Sequence, residues 1–258
     1  MFDSSRALKL GFEEFAKAPD SVVDGALLVS RVVEPATDAP WCRQELERLA
    51  RRIGQGQEAA ALLEGLRTEG FAGAERYYEE ENSALDTVLR RRSGIPISLA
   101  VVVIGIGEQL GIETLGINFP GHFLVSIGGR LADPYTLRVL DEREQRARVA
   151  ASGLPAAQAL KVASPAEIVL RMLNNLRGIA QGRDDFERAL ELTDYQLALA
   201  PRLLELRLAR ADLWQAIGAP ERGRADLETA LSLSPPAELA ARIRERLQGL
   251  DVTPPTLH

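Results

Sequence analysis

Cysteine is all but missing from this chain of 258 residues: Cys42 stands alone, so no internal disulfide can form and a secreted, bridge-held scaffold is excluded. Histidine is nearly as scarce, with only His122 and His258. One internal histidine and one distant cysteine cannot supply the usual zinc ligands, so no metal is expected. No cofactor motif is present either, because Gly105-Ile106-Gly107 lies in an apolar stretch and lacks the third glycine of a dinucleotide fingerprint. Lysine occurs only at Lys9, Lys17 and Lys161 among 31 cationic residues, which reads as a bias of base composition. The net charge of -6, with both signs interspersed, leaves no basic stripe for phosphates and argues against a nucleic-acid partner. Long apolar runs are absent too. The longest, Ile95 to Ile106, is too short for a bilayer and is interrupted by Pro96 and Gly105, so no membrane partner is expected. The first residues carry Asp3, Glu13 and Glu14 and no apolar export core; with the lone cysteine, this predicts a cytoplasmic location.

What is present is enough apolar residue, 46%, to bury a sizeable core in one large or two small domains. The first ninety residues have helical periodicity, as in Glu45, Leu46, Leu49, Ala50 and Ile53, with Asp38-Ala39-Pro40 as a start signal. A short helix is expected from Asn82 to Leu89, capped by Asn82 or Ser83 and closed at Ser93-Gly94. The β-branched run from Pro96 is predicted to be a helix, not a strand: proline stands at its first position, it extends to Leu110, and Gly111 is a stop. Being apolar all round, it should be central. Gly105 and Gly107 are then packing positions.

After Gly111 the period changes to two, through Leu115 to Phe119, His122 to Ile127 and Arg130 to Asp133, which predicts strands. Gly128-Gly129 is a two-residue hairpin loop that pairs Ile127 with Arg130, Ser126 with Leu131, Val125 with Ala132, Leu124 with Asp133 and His122 with Tyr135. His122 and Asp133 become diagonal neighbours on one face, within about 7–8 Å at Cβ, close enough for an imidazole–carboxylate hydrogen bond. That pair is either a structural clasp at a strand end or the orienting half of a nucleophile–base–acid triad.

Charged and small residues from Asp141 to Ala163 read as a connection, and Ser164-Pro165-Ala166-Glu167 as a capping box that starts a new helix. Pro201 and Pro235 close similar segments thirty-four residues apart, the period of the tetratricopeptide repeat, with Ile217-Gly218 at the turn between its helices and Trp214, Ala225 and Ala230 at interlocking positions. The organisation expected is residues 1–140, a connection over 141–163, helical repeats over 164–250 and a disordered tail over 251–258. Arg90-Arg91-Arg92, at the end of a short helix, complements the helix dipole.

Three blocks occur in order: Arg92-Ser93-Gly94-Ile95-Pro96-Ile97-Ser98-Leu99-Ala100, then Leu110-Gly111-Ile112, then Pro120-Gly121-His122-Phe123-Leu124-Val125 with Asp133-Pro134. They resemble the transglutaminase-like, papain-related core, and more closely its SirB-type branch, in which that core precedes tetratricopeptide repeats. The resemblance spans roughly residues 20 to 250. It implies an α+β fold, a helical N-terminal part and a small antiparallel sheet around a central helix, followed by an all-α repeat module. In the superfamily's enzymes a cysteine at the start of the central helix is followed by histidine and aspartate on adjacent strands. The last two correspond to His122 and Asp133, whereas Pro96 stands at the cysteine's position. Ser98 is the nearest hydroxyl, yet two residues along a helix is about 200° of rotation. Two readings follow. One is an interaction or regulatory protein, with a pseudoenzyme domain and a repeat surface for a protein or peptide partner. The other is a serine-type hydrolase or acyl-transferase of peptide or amide bonds, with Ser98 as nucleophile, His122 as base and Asp133 as orienter.

Overall fold

A computed structural model of the chain describes residues 2–54 and 58–252 and divides into two units, Met1–Met172 and Leu173–His258. The first unit opens with four helices, α1 (Phe2–Lys17), α2 (Val22–Val33), α3 (Ala39–Ile53) and α4 (Ala59–Thr68). Strand β1 (Ala72–Gly73) and a 3-10 turn (Glu80–Ser83) lead to α5 (Leu85–Arg91). Strand β2 (Ser93–Gly94) pairs in parallel with β1 and runs into α6 (Pro96–Leu110).

Helix α6 is the centre of this unit. Every residue from Pro96 to Gly107 is buried, so no face of it could be left to water. It packs against α2, α3 and α5 as well as the sheet that follows. Gly105 and Gly107 permit that closeness: a Cβ on Gly105 would lie 3.0 Å from Val23 and 3.1 Å from Leu46, and one on Gly107 would collide with the Thr114 hydroxyl. As expected, the helix starts at proline and stops at Gly111, whose φ of 68° is left-handed.

Strands β3 (Thr114–Ile117), β4 (Leu124–Ile127), β5 (Arg130–Asp133) and β6 (Arg138–Val139) form an antiparallel sheet in sequence order. The hairpin has the expected register from Ile127–Arg130 to Val125–Ala132. Among the described residues its ladder ends there, so the expected pairs Leu124–Asp133 and His122–Tyr135 are not rungs of it. Residues 141–163, expected to be a connection, fold as α7 (Glu142–Ser152) and α8 (Ala156–Ala159) and lie within the first unit. Ala159, with Val149 and Leu160, packs on Ile117, Phe119, Leu124, Leu131 and Leu140, and Val162 bridges to Ile117. A few apolar side chains among many charges suffice to fix this segment, and composition hides them. Helix α9 (Pro165–Gly182) opens with the expected capping box, Glu167 N–H donating to Ser164 Oγ at 3.2 Å and Ser164 N–H to Glu167 Oε2 at 2.8 Å.

The capping expected at Asn82 or Ser83 is not observed. Asn82 Nδ2 donates instead to the carbonyls of Arg76 and Tyr77, and the first amide of α5, at Leu85, donates to Ser30 Oγ of α2 at 2.7 Å. The Arg90-Arg91-Arg92 triplet is engaged in structure: Arg90 lies 3.9 Å above the Trp41 ring, Arg91 faces Glu79, and Arg92 pairs with Glu45.

In the second unit the rest of α9, α10 (Phe186–Leu199), α11 (Leu204–Ala216), a 3-10 turn (Pro220–Gly223), α12 (Arg224–Ser232) and α13 (Ala237–Val252) form helical hairpins. Gly218 turns with φ 77°, as expected. The close approach is made by Gly223 against Ala211, 3.1 Å from a built Cβ; Ala230 is buried, while Ala225 is exposed and does not interlock. Buried Asp226 accepts from Arg207 and Arg210, tying α12 to α11. A cleft of about 250 Å³ lies between Ala211, Leu227, Arg246 and Leu250, room for a side chain but less than a drug-sized ligand fills. The tail expected over 251–258 begins with the last residues of α13, and 253–258 lie outside the described residues.

Two predictions test this packing. Glu45 is nearly buried between α3 and the start of the central block; hydrogen bonds from Arg48, outweighing burial, and from Arg92 hold its carboxyl at about 2. Glu45→Ala strands the Arg92 guanidinium and should cost about 3 kcal/mol in urea unfolding, against a control at an exposed glutamate. Burial, aided by Asp86, pushes the Cys42 thiol up to about 12. A disulfide reagent should therefore leave native Cys42 unmodified at neutral pH and modify it fully on unfolding.

Candidate functional site

The bend at Pro120-Gly121-His122 precedes β4, and Gly121 takes a left-handed φ of 72° there. Asp133 ends β5. His122 Nε2 and Asp133 Oδ1 are 3.1 Å apart, the contact expected from the hairpin, although it is made from a bend and a strand end. Asp133 sits in a socket. Its Oδ1 also accepts the backbone amides of Tyr135 at 3.0 Å and Thr136 at 3.4 Å, and its Oδ2 accepts Arg148 Nη2 of α7 at 2.9 Å. Burial opposes the charge on Asp133, but the hydrogen bonds from His122, Tyr135 and Arg148 outweigh it and hold the carboxyl at about 2.

An ionised carboxylate only accepts, so His122 Nε2 carries the proton and Nδ1 is the nitrogen left to meet a ligand. The His122 side chain is 27% exposed. Arg171 of α9 fixes the bend: its Nη1 donates to Asn118 Oδ1 and to the Phe119 carbonyl, its Nη2 donates to the His122 carbonyl at 3.0 Å, and its guanidinium lies over Phe123. On the other side, Tyr135 donates its hydroxyl to the Ala74 carbonyl at 2.9 Å, and its ring faces that of Tyr77 at 6.4 Å.

Ser98 belongs to a different arrangement. It is 0% exposed; its Oγ accepts from Ile95 N–H and donates to the Ile95 carbonyl, each at 3.1 Å, which completes the start of α6. Among the described residues those are its hydrogen bonds. Of the three residues singled out, the structure thus brings His122 and Asp133 together, while Ser98 works as a helix cap. Arg148 and Arg171 carry no sequence signal, because they reach the pair from helices with no motif of their own.

The family comparisons agree with this core. Residues 40–174 match the model of the transglutaminase-like superfamily, and residues 176–248 that of the tetratricopeptide repeat. A UPF0162 protein of Pseudomonas aeruginosa is 34% identical over 257 residues, 93% of this chain and 94% of that protein. One from Xylella fastidiosa is 34% identical over 249 residues, 87% and 88% of the two chains. The chain belongs to the SirB1 and UPF0162 family. Protein SirB1 of Salmonella typhimurium itself is 25% identical over 207 residues, 73% of this chain and 76% of that one. No solved structure matches the chain. Among the described residues no helix is long and apolar enough to cross a membrane. The SirB-type order of a transglutaminase-like core followed by repeats therefore holds along most of the sequence.

The lowered carboxyl of Asp133 makes a signed prediction. Its stabilisation is fully present above its unfolded value near 4 and is lost as pH falls toward 2. Asp133→Asn should remove about 2 kcal/mol at neutral pH, and its stability should fall less steeply than that of the natural chain between about pH 5 and 2, measured by urea unfolding across that range.

Proposed function

We propose that this chain is an interaction protein with a regulatory role, whose transglutaminase-like domain has lost its nucleophile and whose repeats offer a docking surface to a protein or peptide. The reading rests on one observation: Ser98, whose hydroxyl is the nearest along the chain to the family's nucleophile position, is buried and doubly bonded to Ile95, and Pro96 has nothing to attack with. Repeat modules of this kind stack helical hairpins into surfaces that bind other proteins, and the small cleft between α11, α12 and α13 is sized for a side chain.

A second reading is favoured by the His122–Asp133 bond, which supplies an oriented imidazole with an open nitrogen. A serine hydrolase would need Ser98 Oγ to leave Ile95 and approach that nitrogen to about 2.6–3.2 Å, at the expense of the helix start.

Labelling with a fluorophosphonate probe separates the two. The natural chain, Ser98→Ala and His122→Ala should all remain unlabelled. Stoichiometric labelling of the natural chain that disappears in both variants would establish the hydrolase instead.

A further inference from the structure

The contacts around His122 close into a circuit. Asp133 joins His122 to the Tyr135 backbone, the Tyr135 ring faces Tyr77, and Arg171, which holds the His122 carbonyl, lies close enough to Tyr77 to act on its ionisation. Two members of this circuit keep unused hydrogen-bond donors. A guanidinium has five N–H donors; Arg171 engages both on Nη1 and one on Nη2, which leaves Nε–H and one Nη2–H on adjacent nitrogens. Among the described residues the Tyr77 hydroxyl has no hydrogen-bond partner, and burial keeps it in the O–H form by raising it above its ordinary value.

The charges around the circuit do not cancel. Asp133 is balanced by Arg148, and Glu79 lies between Arg76 and Arg91. Arg171 is half-buried and, among the described residues, has only neutral oxygens for partners, so burial works against its charge without a carboxylate to offset it. An opposite charge delivered by a ligand would relieve that cost, and a planar fork with two adjacent donors matches the two oxygens of a carboxylate.

We propose that Arg171 and Tyr77 form a carboxylate-binding subsite beside His122, where they receive a carboxylate of a peptide partner, at its C-terminus or on an acidic side chain. Tyr78, 78% exposed and edge-on to Tyr77 at 5.2 Å, extends the floor with an aromatic surface for the residue next to that carboxylate. The subsite stands apart from the question of a nucleophile, since neither of its donors is Ser98.

The test uses the full chain and the ring-proton signals of its two histidines, with His258→Ala assigning His122. The probes are acetyl-Ala-Ala-Ala with a free C-terminus, its C-terminal amide, acetyl-Ala-Glu-Ala-amide and inorganic phosphate. One or both carboxylate peptides should shift the His122 signals saturably, the tighter one naming the source, and the neutral amide should not. Arg171→Gln should weaken binding about tenfold. Because Arg171 also holds the bend, Tyr77→Phe provides a second variant, expected to bind about threefold more weakly with an unchanged melting temperature. Equal binding of the neutral amide, binding of phosphate with neither carboxylate peptide, no saturable shift, or unchanged affinity in both variants would overturn the proposal.

Discussion

The structure of the first unit follows from one constraint: helix α6 is apolar around its whole circumference and must be enclosed. A helix with one apolar stripe needs one neighbour, but residues Pro96 to Gly107 are buried on every side. Helices α2, α3 and α5 therefore stand around it with the β3–β4 hairpin, and two glycines let neighbours approach where a side chain would keep them away. Burial of a leucine- or isoleucine-sized side chain stabilises by about 1.5–3 kcal/mol, so this one element gathers much of the unit's hydrophobic stabilisation. The position of the site follows as well. Enclosing α6 with β3 and β4 sets the bend before β4, and the histidine on it, at one end of the sheet, where the end of β5 and the turn amides after it are within reach.

At that end the chemistry is set by how Asp133 is satisfied. The carboxylate takes two backbone amides, one guanidinium and one imidazole. In a triad the orienting acid stabilises the imidazolium that forms as the base takes a proton. Here the same carboxylate is also gripped by Arg148, so Asp133, and with it the His122 ring, is held from both of its oxygens. The socket is well suited to holding a ring in one direction, and that is what a binding site requires.

The sequence carried the fold further than the site. Helix α6 was legible because proline and glycine sit where termini need them, and the hairpin because Gly128-Gly129 fixes the register of Ile127, Ser126 and Val125. His122 and Asp133 followed from that register. Arg148 and Arg171 did not, because each comes from a helix whose pattern reports only its own burial, and the distance along the chain to its partner leaves no period to read. The same blindness explains residues 141–163: Val149, Ala159 and Leu160 anchor them among charges that on composition alone read as a linker. Ser30 capping α5 from α2 is a third case, since a cap is sought next to its helix and here the donor and acceptor are 55 residues apart.

The two functional readings then come down to a competition for one hydroxyl. At the start of a buried helix the first amides lack partners, and leaving one unsatisfied in an apolar surround costs about 1–3 kcal/mol. Proline removes one such donor at position 96, and Ser98 satisfies the amide of Ile95. A serine turned toward His122 would give up both bonds to Ile95 and would have to cross roughly half a turn of helix. With proline at position 96 and Ser98 bonded to Ile95, the start of α6 is a structural joint, while His122 keeps an oriented ring and a backbone carbonyl held by Arg171, which among the described residues has no carboxylate partner. That half-buried guanidinium without a counter-charge is what the proposed carboxylate subsite rests on.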